Sequence, residues 1–493
     1  MSWSLNFVKP LKPIQSPSPL AEEWDDLPAR EADVGIQIGQ PVLLPPSGRP
    51  DVNVVRYLNS GSFKKLSIQT QESYAKDLKL FFTFLDSQQK TWLDAAEDDL
   101  ENYEFWRRRD PRNSFRISGA KFSRELAAID RFYKWQVAKG VLKTSPVAVR
   151  TTRQRNGDMA ESLALAQRNV RRSNVKWLTA RAYRQWRDVG LGGYLPDGLR
   201  DQRWRGRTRG RNVAFSELLW SSGLRLTEGA PLLSFELPDL FGNERFVRGC
   251  IGEAVAKGGS KRDFWVAAHA LDRVASYMDV DRRLSVRRAQ SEGRYNELEN
   301  LLLLQQVSAN RVAQLVDSKG KKIHLPLDQL TAEMRTRVFI ERDDQIEPVS
   351  LWLTEGGMPL PVETWETVFA TANERCKQHD VKLYCHPHML RHSFALKMLV
   401  TLMHVFERRM SITSEERREY RMIFGDPWSL VQTLLGHRSS EVTREIYLEP
   451  VNGIQIDLFL NDSLNEEGSI DELLSKIASD SGLVADLSPG GLG

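Results

Sequence analysis

The chain has 493 residues, 41% of them hydrophobic and 27% charged, with a formal net charge of +4. That length calls for two or more domains, and the apolar share is enough for sizeable cores. Cys250, Cys376 and Cys385 show no C-x-x-C spacing, which argues against a disulfide scaffold and a cysteine-based zinc site and fits a reducing compartment.

The modest net charge hides an asymmetry. Arg150 to Val213 carries sixteen Lys and Arg against five Asp and Glu, while Leu448 to Gly493 carries one Lys against nine acidic residues. A basic middle and an acidic end point to a polyanion partner and a separately solvated tail. No run approaches the ~18 apolar residues of a membrane span, and no signal-peptide pattern opens the chain. The expectation is a soluble cytoplasmic protein without a membrane partner.

In chain order, residues 1–50 are proline-rich and lack an apolar period, so they read as a flexible arm. Residues 51–150 read as a helical unit of four or five helices around an aromatic core. The apolar stripe Tyr74, Leu78, Phe81, Phe84 and Leu85 predicts a helix over Thr70–Asp86. Further helices are expected over Trp92–Arg109 and Phe122–Lys139, the latter stopped by Gly140. Residues 151–176 are arginine-rich without an apolar face and read as a linker. From Trp177 a larger region follows, extending to 450. In it, β-rich runs Phe246–Ala256 and Arg262–Ala267 flank Lys257-Gly258-Gly259-Ser260-Lys261, the pattern of a hairpin. Residues 280–345 are charged and mostly helical in pattern. Residues 451–493 form the acidic tail, with Ile470–Ile477 as a candidate helix. The class expected is mainly α with a small β-sheet.

Five features of the larger region carry chemistry. In Ser221-Ser222-Gly223-Leu224-Arg225-Leu226-Thr227-Glu228, Gly223 suits a left-handed helix stop and Thr227 suits the next N-cap. Arg225 then sits among apolar residues, where it needs an anion. An ion pair with Glu228 is the plainer alternative. In His386-Pro387-His388-Met389-Leu390-Arg391-His392, helical spacing gathers His388, Arg391 and His392 on one face. No third ligand accompanies the two histidines, so an anion site explains them better than a metal. Leu434-Leu435-Gly436-His437 ends a helix begun at Pro427 and displays His437 in a turn. Tyr447 lies at the end of a short helix that Ser439 or Ser440 caps. Lys257, or Lys261, occupies the hairpin tip. Taken singly, each has a structural explanation.

Together, the order of Arg225, Lys257, His388 with Arg391, His437 and Tyr447 resembles the tyrosine recombinase (phage integrase) family. "SSGLRLTE", "HMLRHSFA" and "LLGH" are similar to its boxes, and "TQESYAKDLKLFFTFL" and "FYKWQVAKGVLKTSPV" to helices of its core-binding domain. The likeness covers most of 51–450. It implies a core-binding domain at 51–150 and a catalytic domain at 177–450 with insertions near 280–345 and 402–425. The stretch from Arg391 to His437 is longer than usual, and His437 to Tyr447 is one residue longer than the common spacing.

The resemblance implies a site-specific recombinase or integrase acting through a 3′-phosphotyrosine, with no cofactor and no metal. Tyr447 would be the nucleophile, His388 its proton acceptor, and Lys257 the donor to the 5′ oxygen. Arg225, Arg391 and His437 would hold the phosphate oxygens. The expected partner is double-stranded DNA at specific sites, bound by a homotetramer with or without accessory proteins. Arg203, Arg205, Arg207, Arg209 and Arg211 form the densest basic run and are candidate phosphate contacts. A type IB topoisomerase, or a non-catalytic DNA-binding regulator built on the same scaffold, are the competing classes.

Overall fold

Side-chain oxygens set where the helices of the first half begin. Asp51, Ser60, Ser67 and Ser118 each accept a backbone N–H one turn into the helix that follows. The resulting helices are α1 (Val52–Leu58), α2 (Gly61–Lys64), α3 (Ile68–Ser87) and α5 (Gly119–Ala138). Between the last two lies α4 (Glu97–Arg108), which opens on three acidic residues that favour a helix N-terminus. The computed structural model describes residues 2–9, 33, 36–153, 159–166, 176–238, 244–408 and 427–436. The chain divides into two units, Met1–Arg171 and Arg172–Gly493.

In the first unit the helices enclose a mainly aromatic core that includes Tyr57, Phe81, Phe82, Tyr103, Phe132 and Tyr133. Most ring pairs meet edge to face, as Phe81 and Tyr103 do at 5.2 Å. Glu125 is fully buried but takes the Arg107 guanidinium at 2.6 Å and the Tyr103 hydroxyl at 3.0 Å. α4 starts later than its apolar pattern predicts. Trp92 lies in the preceding turn, buried, and donates its indole N–H to Asp51 at 2.8 Å. Gly140 follows α5 with φ 72°.

Among the described residues, parts of two segments expected to lack structure have it. In the arm, β1 (Ser4–Phe7) pairs antiparallel with β2 (Pro41–Leu44). The Trp3 ring meets that of Phe82 at 4.8 Å in a tilted contact and Leu43 is fully buried, so these residues close the helical core. In the linker, β3 (Val149–Arg153) pairs antiparallel with β4 (Met159–Leu163), and Leu163 and Leu165 pack on the same core. Neither strand pair has a long apolar period, and both depend on contacts distant in sequence.

The second unit begins with α6 (Ala180–Trp186), capped by Thr179. Its main core gathers around α7 (Arg209–Ser222), the antiparallel hairpin β5 (Phe246–Ile251) and β6 (Arg262–Ala267), α9 (Ala268–Tyr277) and α12 (Thr364–Gln378). A short α8 (Leu226–Gly229) follows α7, and α10 (Arg283–Ser291) follows α9. Phe215 stacks on Trp365 at 3.6 Å, with Trp352 edge-on to both. α13 (Pro387–Arg408) and α14 (Pro427–Leu435) complete the described residues.

The region 280–345, expected to be mostly helical, is largely a sheet. Strands β7 (Leu302–Val307), β8 (Val312–Asp317), β9 (Lys322–Pro326), β10 (Val338–Arg342) and β11 (Gln345–Pro348) run in the order β11-β10-β7-β8-β9. Only β10 and β7 are parallel. Leu302, Leu304, Ala313 and Leu315 alternate inward onto Leu233, Leu327, Leu330 and Val349. Those period-two runs are short, and the charged turns between them masked the alternation. α11 (Ala332–Arg335) ends in Arg335, whose buried guanidinium bonds Glu236 at 2.9 Å and the carbonyl of Leu330 at 2.9 Å. Among the described residues no helix is long and apolar enough to cross a membrane.

If the arm belongs to the first core, Trp3→Ala should cost about 3 kcal/mol by the usual truncation penalty. Urea unfolding of the chain followed through the helical signal of the first unit measures this. An unchanged midpoint would detach the arm from the core.

Candidate active site

α7 ends where Gly223 turns left-handed at φ 65°, its N–H on the Leu219 carbonyl. A Cβ there would lie 2.3 Å from the Phe394 ring, so both conformation and space require glycine. Arg225 follows at the start of α8. Its backbone N–H donates to Glu228 Oε2 at 2.9 Å, and its guanidinium to Oε1 at 2.8 Å. The helix therefore starts from Arg225, with Glu228 reaching back, and not from Thr227 as its type suggested.

Glu228 is 1% exposed. It also takes Arg262 Nη2 at 2.6 Å, from the first residue of β6. Burial raises its carboxyl. The charge of Arg262, the Arg225 N–H, and the charges of Arg225 and Arg391 outweigh that and hold it below the ordinary range. One ionised carboxylate thus serves two arginines.

α13 opens with Pro387, which suits a first helical turn. One turn on, Arg391 is 1% exposed. Its Nη1 donates to the Gly223 carbonyl at 2.6 Å, and its Nη2 to the Leu435 carbonyl. These carbonyls lie at the ends of α7 and α14, where helix oxygens lack intrahelical partners and carry partial negative charge. His388, on the same helix, has an exposed side chain and sets its ring 4.2 Å from that of His392. Burial first, then Arg391, His386, Arg225 and Lys257, push its imidazole down to about 4. Arg225, Lys257 and Arg391, from three separate segments, thus all act on His388 through their charge.

The hairpin forms, but its first strand ends at Ile251, opposite Arg262, and not at Ala256, so the connecting loop is longer than the five-residue turn expected. Lys257 is exposed beyond β5, next to Gly258 and Gly259, both at positive φ. Lys261, the other lysine of the turn, is engaged elsewhere, its Nζ 2.7 Å from Asp328 Oδ2. α14 stops at Gly436 with φ 63°. A Cβ on Gly436 would strike Arg262 Cδ at 2.4 Å, and Arg262 Nη1 donates to the Leu434 carbonyl at 3.0 Å. His437, Tyr447, the cap at Ser439 or Ser440, the segment 409–425 and the helix expected at Ile470–Ile477 lie outside the described residues.

The basic run divides. Arg203 and Arg205 are exposed. Arg207 pairs with Glu355 at 2.8 Å on the surface, and Arg209 lies 5.7 Å over the Tyr194 ring. Arg211 is buried, donates to the Leu353 carbonyl at 2.8 Å, and stacks 5.4 Å from the Trp365 ring. It is a core residue, and its expected role in phosphate contact is withdrawn. Arg262 was not anticipated. Its only sequence signal is its place opposite Ile251 at the hairpin mouth, and its partners come from α8 and α14.

Residues 55–140 match the family model described as phage integrase, N-terminal SAM-like domain. A relative from Caldanaerobacter subterraneus subsp. tengcongensis, which bears the name of the tyrosine recombinases, is 23% identical over 220 residues. That match covers 45% of this chain and 61% of the relative's length. The match to the family model is confined to residues 55–140, and the chain is similar to the tyrosine recombinase relative over less than two thirds of that relative's length. Among solved structures, XerH site-specific recombinase bound to palindromic difH substrate is 12% identical with a TM-score of 0.44, covering 81% of each chain. The Tn1549 transposon integrase in complex with circular intermediate DNA is 11% identical with a TM-score of 0.39, covering 80% of this chain and 92% of that one. Likeness at this level carries no function across.

Two outcomes are expected. Gly223→Ala should destabilise the second unit by about 2 kcal/mol, because it adds strain and overlap at once. Urea unfolding measures this, and a neutral effect would contradict the fit against Phe394. The second concerns pH. Below 6.5 the unfolded chain takes up a proton at His388 that the folded chain refuses until about 4. Stability therefore falls as pH drops through that window, and this group has no effect above it. His388→Gln should flatten the dependence of unfolding free energy on pH there. An unaltered slope would mean that His388 titrates normally.

Proposed function

We propose that the chain is a site-specific DNA strand transferase, a recombinase or integrase that cuts and rejoins duplex DNA through a tyrosyl phosphodiester. The observation that carries this reading is that the charges of Arg225, Lys257 and Arg391 all reach His388, with Glu228 as the internal counter-ion of the arginines. A phosphodiester is anionic, so the site must offset charge, sharpen a nucleophile and protonate a leaving group.

In this reading the Tyr447 Oη attacks phosphorus and its proton passes to His388. With its imidazole pushed down to about 4, His388 is neutral at pH 7 but a weak base, and the charge of a bound phosphate would have to raise it for the transfer. The P–O5′ bond breaks, and Lys257 gives a proton to the departing 5′ oxygen. A 3′-phosphotyrosine and a free 5′ hydroxyl result, and reversal of the step rejoins a strand. The bond energy stays in the covalent link, so no nucleotide is consumed. Arg225 holds the non-bridging oxygens from the mouth of the site, and Arg391 acts through its field from below. His437 adds a hydrogen bond to the same oxygens. The substrate is double-stranded DNA at specific sites, bound by a homotetramer. Arg203 and Arg205, both exposed, would contact the phosphate backbone.

The test uses a pool of nicked duplexes with a randomised core, from which covalent protein–DNA adducts are recovered under denaturing conditions. Wild type should yield adducts enriched in one sequence, and Tyr447→Phe none. Arg225→Ala should bind the recovered duplex but form adduct roughly 10²–10³ times more slowly, the usual loss for one charge-stabilising donor. A wild-type chain that binds DNA without forming any adduct would leave the regulator reading. Adducts without sequence preference would favour a topoisomerase.

A further inference from the structure

The loop that carries Lys257 is fixed on both flanks by one residue of the five-stranded sheet. Before Lys257, the Ala254 N–H donates to the Asp328 carbonyl at 2.7 Å. After it, Lys261 Nζ bonds Asp328 Oδ2 at 2.7 Å. Gly252 lies so close that a Cβ there would stand 2.9 Å from Asp328 Cα. Three contacts thus converge on one residue from both ends of the hairpin loop.

Asp328 is itself held firmly. It sits in the turn Leu327–Gln329 after β9, and Leu327 is buried in the core of the sheet. The Leu327 N–H donates to the Arg311 carbonyl at 2.9 Å. Buried Arg335 bonds the carbonyls of Leu327 and Leu330 on either side, at 3.3 and 2.9 Å. The loop it holds is the opposite in character. Lys257-Gly258-Gly259-Ser260 has two glycines at positive φ and would be mobile without an anchor. An exposed ion pair alone contributes little. Joined to a backbone bond and a close glycine contact, it fixes a position.

We propose that Asp328 is a positioning residue for Lys257, and that the five-stranded sheet serves to hold the proton donor over the leaving 5′ oxygen. This rests on the reading of Lys257 as that donor. Asp328 touches no reacting atom. It narrows the positions open to the loop, and so the distance from Lys257 Nζ to the oxygen that must be protonated.

The test uses the full chain and the duplex recovered by adduct capture, made with either oxygen or sulfur at the bridging 5′ position. A thiolate leaves without needing a proton, because thiols are far more acidic than alcohols. Asp328→Ala should cleave the oxygen substrate at least about 10-fold more slowly, as expected for a displaced catalytic group, and the sulfur substrate at the wild-type rate. Both variants keep the main-chain carbonyl that Ala254 bonds; Asp328→Asn also keeps the side chain's shape and a neutral acceptor for Lys261, so it should show the same pattern more weakly, and it carries the comparison if Asp328→Ala does not fold. Hydrogen exchange at residues 252–261 should quicken in both variants. Equal losses on the two substrates would indicate a general defect and overturn the proposal. So would unchanged exchange, or faster exchange with unchanged cleavage. Lys257→Ala separates the two ideas. If sulfur rescues it but not the Asp328 variants, positioning fails and the donor stands. If sulfur does not rescue Lys257→Ala, the donor reading fails and the proposal with it.

Discussion

Two helix C-termini, those of α7 and α14, meet on one buried guanidinium. Arg391 takes the Gly223 carbonyl from one and the Leu435 carbonyl from the other. A charge so deep is tolerable because unpaired helix oxygens need donors and carry the right sign. The rest of the site hangs from this tie. Gly223 leads to Arg225, and Leu435 leads to Gly436 and the chain beyond it. The helix that supplies Arg391 also supplies His388. One residue therefore sets the spacing of three segments far apart in sequence.

Arg262 makes a second, parallel tie. It joins Glu228 on α8 to the Leu434 carbonyl on α14. Gly436 is pressed against its side chain. The two arginines thus hold adjacent carbonyls at the same helix end. The first unit is built differently. Its rigidity comes from aromatic edges and from buried acid–base pairs such as Arg107 with Glu125.

What could be read in the sequence was what local chemistry decides. Gly223 and Gly436 announce left-handed stops, and the glycines after Lys257 announce a hairpin turn. The long helices of the first unit follow from apolar stripes, within a few residues. What could not be read depends on distant partners. Trp3 shows its purpose only against Phe82. Arg211 stands in a run of surface arginines yet belongs to the core, because Leu353 and Trp365 fold over it. The five-stranded sheet escaped because β10 pairs with β7 across more than thirty intervening residues, and no local period reports such a pairing. Glu228 was visible as a partner for Arg225, but its second arginine was not.

Glu228 also bears on what an incoming ligand meets. Its carboxylate, buried and held in the charged form, already occupies Arg225. An arriving anion does not find a bare cation. It finds a compensated pair and must share the guanidinium with a fixed negative neighbour. Small, loosely held anions gain little from such a bargain. A group that spans several donors at once gains enough to stay. The cluster is in this sense already charge-compensated before any ligand arrives.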